Sequence, residues 1–185
     1  MENMRTLRAD SCVLVIVDVQ EAFRSVIGDF ALIASNIARA SRGFQILDVP
    51  MIVTEQYPAG LGRTAEEILL TLPDDFEPVE KTAFSACGSD AFRSRLAESG
   101  ADQVILCGVE THVCVSQTAH DLLDQGLSVH LLTDCVGSRF EHDKRAGLKK
   151  MYGSGVVSSS VEMAVFEVMR DSKHPKFKEM QALIK

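Results

Sequence analysis

Short, unbroken apolar runs alternate along this chain with longer stretches in which apolar residues recur every three or four positions. Cys12-Val-Leu-Val-Ile-Val-Asp18 is apolar until its last residue. Such a short, β-branched run without polar alternation predicts a central strand covered on both faces. Residues 51–54, 104–107 and 127–133 read the same way, and 77–81 and 154–157 predict two shorter strands. Between the first two runs, Phe30, Ile33, Ile37, Ala40 and Phe44 fall at helical spacing and predict a helix over 28–47, broken by Asp48-Val-Pro50. Further helices are predicted over 64–72, 89–99, 111–125, 141–151 and 159–170. Thr64 with Glu67, and Ser159 with Glu162, read as capping boxes. Phe177, Met180 and Leu183 make the tail a short docking helix. Strand follows helix throughout, which predicts an α/β fold with a six-stranded, mostly parallel, doubly wound sheet. The 185 residues show no linker or repeat, so a single domain over 1–185 is expected.

In open sheets of this kind ligands bind outside the carboxyl ends of the strands. Three chemically able residues fall there: Asp18 after the first strand, Lys81 after the third, and Cys114 just after the fourth. Val104-Ile-Leu-Cys-Gly-Val-Glu-Thr-His-Val-Cys114 reads as strand, glycine turn and helix start, with the thiol in the first helical turn. Unpaired N–H groups and partial positive charge collect at that end of a helix. A thiol there is expected to ionise more easily, and the same N–H groups suit a developing oxyanion. Nucleophile, carboxylate base and cation are the parts of an acyl-transfer site.

Charge and composition narrow the field. A net charge of −7 argues against general nucleic-acid or membrane-surface binding, which calls for clustered Lys and Arg. No apolar run approaches membrane-spanning length, and residues 1–10 contain no signal-peptide core. The five cysteines include no CxxC pair; Cys12, Cys107 and Cys135 read as small core residues. Free thiols without a leader point to a cytoplasmic protein.

Three segments carry a family resemblance: Val17-Asp-Val-Gln20, Glu80-Lys-Thr-Ala-Phe84 and Gly108-Val-Glu-Thr-His-Val-Cys-Val115. They resemble the isochorismatase-like cysteine hydrolases. The runs at 53–62, 108–119 and 174–179 are similar to the group called isochorismatase domain-containing proteins. The resemblance implies a three-layer, Rossmann-like fold and a triad of Asp18 as general base, Lys81 as its partner and Cys114 as nucleophile. It also implies an oxyanion hole from the backbone N–H groups of Val113 and Cys114, and a cis peptide between Val109 and Glu110. Nicotinamidases of this superfamily bind a metal through an Asp and two His near the second strand. The corresponding Thr54-Glu-Gln-Tyr-Pro58 has no His, so no metal or other cofactor is expected. True isochorismatases cleave a vinyl ether without a cysteine nucleophile, so Cys114 favours a small amide or related acyl substrate. A dimer or larger homo-oligomer is expected from the family and from the apolar tail.

Other residues have two readings. Gln20 and Phe23 either line the pocket or form the turn after Asp18. Tyr57 either stacks on a substrate or packs its loop, and Phe84 and Phe140 either wall the pocket or fill the core. Arg139 reads as a surface residue more than a carboxylate anchor, and His112 as facing solvent or an interface. His120, His130, His142 and His174 read as structural. Two alternatives to hydrolysis stay open: a weakly active binding or scaffold protein, and a thiol redox sensor.

Overall fold

The structure is a computed structural model describing residues 6–185, so the leaderless reading of residues 1–10 falls partly outside the described residues. Six parallel strands form one sheet: β1 (Cys12–Val17), β2 (Met51–Gln56), β3 (Val79–Lys81), β4 (Gln103–Val109), β5 (Ser128–Gly137) and β6 (Val157–Ser159). Their order is β3-β2-β1-β4-β5-β6. The order reverses between β1 and β4, which makes the crevice at their carboxyl ends the topological switch point.

Among the described residues eight α-helices accompany the sheet: α1 (Phe30–Ile46), α2 (Pro58–Leu61), α3 (Glu66–Leu69), α4 (Asp90–Ser99), α5 (Ser116–Asp124), α6 (Glu141–Gly153), α7 (Val161–Met169) and α8 (Phe177–Ile184). Residue alternation along β1 sorts them into two layers. Leu14 and Ile16 pack with Phe30, Ile33, Ile37 and Phe44 of α1, Val165 of α7 and Met180 of α8. Val13, Val15 and Val17 face the other way, onto Phe92 of α4, Ala119 and Leu122 of α5 and Met151 of α6. The five α1 residues singled out by spacing are all at most 2% exposed. Burying each of the Phe and Ile side chains among them stabilises the fold by about 1.5–3 kcal/mol. The tail helix docks as expected: Met180 is fully buried, and Leu183 packs against the same core. Among the described residues no helix is long and apolar enough to cross a membrane.

Several boundaries differ from the sequence reading. Thr64 is not a helix cap. It bridges Gln20, and both its N–H and hydroxyl donate to the buried Glu55, at 2.6 and 2.7 Å. Glu67 binds Arg24 instead of closing a box. At α7 the cap is Ser160, whose hydroxyl accepts from the Met163 N–H, so Ser159 was one residue early. Strand β5 runs through Asp134 to Gly137 instead of ending at Thr133. Its alignment with β4 shifts between Leu106 and Gly108, and the Asp134 carboxylate accepts the Val161 N–H at the start of α7, at 3.2 Å. An acid that reads as a strand end is here satisfied by a neighbouring helix.

Candidate active site

Asp18 leaves β1 with φ of 53°, a left-handed conformation that Asp tolerates better than most residues. Its side chain is fully buried. One carboxylate oxygen accepts the Thr54 hydroxyl at 2.6 Å and the other accepts the Lys81 ammonium at 2.6 Å. Lys81 also donates to the carbonyls of Ala83 and Phe84, both at 3.0 Å. All three ammonium protons therefore have acceptors, the condition under which a buried charge pair is tolerable.

The third group enters from β4. Gly108 has φ of 126°, and a Cβ there would lie 2.1 Å from the Val17 carbonyl, so only glycine lets β4 pass this close to the end of β1. The Val109–Glu110 peptide is cis. Then comes one π turn, Thr111–Val115, which continues into α5. Cys114 sits in this turn, 5% exposed, and its thiol donates to Gln56 Oε1 at 3.0 Å.

Glu110, Thr111 and His112, at the entry to the turn, are tied to Gly137 at the end of β5 and to the two residues after it. Glu110 accepts the Arg139 N–H and Nε–H, both at 3.0 Å. The Thr111 hydroxyl donates to the Gly137 carbonyl at 2.9 Å, and His112 Nδ1 lies 3.0 Å from the Ser138 hydroxyl. On the far side Gly147 of α6 backs the turn, where a Cβ would meet His112 Cα at 2.8 Å. The turn that carries Cys114 is clamped on both sides.

Burial pushes the Cys114 thiol up, the Asp18 carboxylate pushes it further, and Lys81 opposes them only in part. This runs against the expectation from the helix start: burial is the largest influence on the thiol and disfavours its charged form. The same burial raises Cys12 to about 12, and raises Cys87, Cys107 and Cys135.

A cavity of about 560 Å³ opens beside Lys81, lined also by Tyr57, Pro58, Glu80, Thr82 and Ser89. Cys114 is not on its wall. Thr82 connects the two, because its carbonyl accepts the Gln56 Nε2–H at 3.4 Å.

The sequence matches the isochorismatase domain over residues 12–163. The chain belongs to the isochorismatase family. It is 38% identical over 184 residues to isochorismatase domain-containing protein 2 of Danio rerio, covering 100% of this chain and 92% of that one. It is 40% identical to protein 2A of Mus musculus, over 95% of this chain and 84% of that one. The solved MAR1 ribonuclease of Caenorhabditis elegans superposes with a TM-score of 0.92 at 38% identity, covering 97% of this chain and 92% of the other. Family membership makes this a hydrolase fold, with the six-stranded sheet and flanking helices described above.

Within that isochorismatase fold the residues named from sequence separate. Asp18, Lys81 and Cys114 converge. Gln20 is buried but braces the backbone of Gln56 and Gly62, and does not line the cavity. Phe23 packs on the α1 core, on the other side of the sheet from Cys114. Tyr57 lines the cavity, 59% exposed. The Phe84 and Phe140 side chains are exposed, and Phe84 serves through its carbonyl on Lys81. The Val113 N–H donates to the Glu110 carbonyl at 3.0 Å, so it is not a free oxyanion donor here. Arg139 is half-exposed but bound to Glu110, and His112 is partly buried against Ser138 instead of facing solvent. The sequence reading missed Thr54 and Gln56. Their signal was period two along β2, which puts Ile52, Thr54 and Gln56 on one face, the face that carries Val15 and Cys114.

Proposed function

We propose that this protein is a cysteine hydrolase of a small amide or related acyl compound, working through a thioester on Cys114 without a cofactor. The observation that carries it is a fully buried Asp18–Lys81 pair beside the buried Cys114 thiol at the switch point of the sheet. Asp18 takes the thiol proton as the sulfur lone pair forms a bond to the acyl carbon. The carbonyl π electrons move to oxygen, and the Cys114 N–H, in the first helical turn, stabilises the oxyanion. The C–N bond then breaks, nitrogen takes the proton from Asp18, and the amine leaves. Water adds to the thioester with Asp18 as base. Its collapse releases the carboxylic acid and returns the proton to sulfur. Lys81 keeps the Asp18 carboxylate oriented between steps through the 2.6 Å contact. A thiol whose charged form burial disfavours suits this order, since the proton moves as the new bond forms.

The substrate is read as a small molecule because the cavity is of small-ligand size. The ribonuclease name of the nematode relative weighs less: the site's lysine spends its three donors within the protein, and the chain carries −7. Five free cysteines suit a cytoplasmic setting, and the expected state is a homo-oligomer. Hydrolysis of a panel of small amides should disappear in Cys114→Ala with the fold retained; turnover that survives in that variant contradicts the assignment.

A further inference from the structure

The Cys114 thiol faces Gln56 Oε1 at 3.0 Å as well as the Asp18 carboxylate, and this bears on what the site will accept. The orientation of the Gln56 carboxamide follows from its surroundings. The Thr82 carbonyl can only accept, so Nε2 faces it at 3.4 Å and Oε1 faces Cys114 Sγ at 3.0 Å. The backbone beneath is pinned. Fully buried Gln20 accepts the Gln56 N–H at 2.9 Å and donates to the Gln56 carbonyl at 3.0 Å and the Gly62 carbonyl at 2.7 Å. An acceptor oxygen is therefore fixed one hydrogen-bond length from the attacking sulfur.

We propose that Gln56 is a specificity residue whose Oε1 accepts an N–H carried on the scissile carbonyl, so that the site raises the rate of amides relative to the matching oxygen esters. This deepens the hydrolase reading and rests on it. In the resting enzyme Oε1 is satisfied by the thiol S–H. Once that proton passes to Asp18, Oε1 loses its donor and faces a sulfur gaining negative charge. An acceptor left bare in a partly desolvated site is costly. The acyl carbon must come within bonding reach of Sγ, which brings the atom attached to it close to Oε1. If that atom is an amide nitrogen with a hydrogen, it replaces the lost donor. If it is an ester oxygen, two acceptors face each other.

No neighbouring group can take this part. Lys81 only donates, and Asp18 carries the thiol proton at that moment, with Thr54 and Lys81 on its oxygens. Gln56 forms no covalent bond and moves no proton. The acyl group passes from nitrogen to sulfur, and the departing nitrogen takes its proton from Asp18 as above. A site built around a substrate N–H discriminates against analogues without one. Gln56 is partly exposed, so the expected effect is that of a single ordinary hydrogen bond, about tenfold in rate.

The test uses two acetyl donors that give the same acetyl-enzyme: 4-nitroacetanilide, which has the N–H, and 4-nitrophenyl acetate, which lacks it. Acetylation of Cys114 is followed by mass spectrometry, with the modified residue mapped, in the wild type and Gln56→Met. Acetylation by the anilide should fall about tenfold in the variant while acetylation by the ester holds or rises, because the acceptor that faced the ester oxygen is gone. The ester also reports that the variant is folded and its thiol competent. A parallel fall for both donors makes Gln56 a positioning residue only and overturns the inference, as does a wild type that takes the ester and ignores the anilide. If neither donor acetylates Cys114 in the wild type, the hydrolase reading itself falls and the inference with it.

Discussion

Lys81→Met makes the sharpest test of the site's electrostatics. It removes an ammonium that is 1% exposed and donates to Asp18, Ala83 and Phe84. The Asp18 carboxylate then stays buried with the neutral Thr54 hydroxyl and Cys114 thiol beside it and no cation to answer its charge. Stranding one member of a buried pair costs about 3–5 kcal/mol. The unfolding entropy of a 185-residue chain is about 0.4 kcal/mol/K at the midpoint, so a loss of about 4 kcal/mol lowers Tm by about 10 °C. Asp18→Asn should cost a similar amount, because it strands the ammonium. The double variant removes both charges and should lie within about 2–3 kcal/mol of the wild type, giving a coupling of several kcal/mol. Urea unfolding of all four proteins measures each value. Additive single losses, or a Lys81→Met protein within about 1 kcal/mol of the wild type, would refute a buried, mutually dependent pair.

Three more outcomes follow from the same geometry. Because burial and then the Asp18 carboxylate hold the thiol up, alkylation of Cys114 by iodoacetamide should climb through pH 9 without a plateau near neutrality. Asp18→Asn removes a charge that opposes the thiolate, so the profile should move to lower pH even as turnover is lost; a move upward contradicts the assignment. Gly147→Ala brings a Cβ to within 2.8 Å of His112 Cα and 3.1 Å of the Thr111 carbonyl, backbone that cannot give easily. It should cost about 1–3 kcal/mol and depress turnover more than it depresses binding, as measured by kcat against KM; unchanged kcat would mean the clamp is not needed. Sedimentation velocity should show two or more chains per particle, and a single-chain mass would contradict the homo-oligomer.

Much of the fold was legible because burial writes itself into the pattern. The run at 12–17 must be apolar on both faces to lie in the middle of the sheet, and α1 must repeat its apolar stripe to cover it. Polar residues inside elements were harder to read. Asp134 reads as a stop until α7 supplies its N–H, and Thr64 reads as a cap until Glu55 claims it. In the site, Asp18, Lys81 and Cys114 announced themselves by type and by position at strand ends. Gln56 did not, because a carboxamide at a strand end has no chemistry of its own until a thiol is found 3.0 Å away. The ionisation of Cys114 was misread for a related reason. The helix start is local and visible in sequence, whereas the burial that pushes the thiol up comes from packing across the sheet.

The central claim is that Cys114 becomes acylated with Asp18 as its base. The most direct measurement is rapid-quench intact-mass spectrometry after mixing with 4-nitrophenyl acetate, followed by peptide mapping, in the wild type, Asp18→Asn and Cys114→Ala. The account predicts one acetyl group on Cys114 in the wild type, formed and then lost as the thioester is hydrolysed. It predicts persistence of any adduct in Asp18→Asn and none in Cys114→Ala. Acetyl groups spread over surface lysines, with Cys114 unmodified, would contradict it and leave binding or scaffolding as the work of this fold.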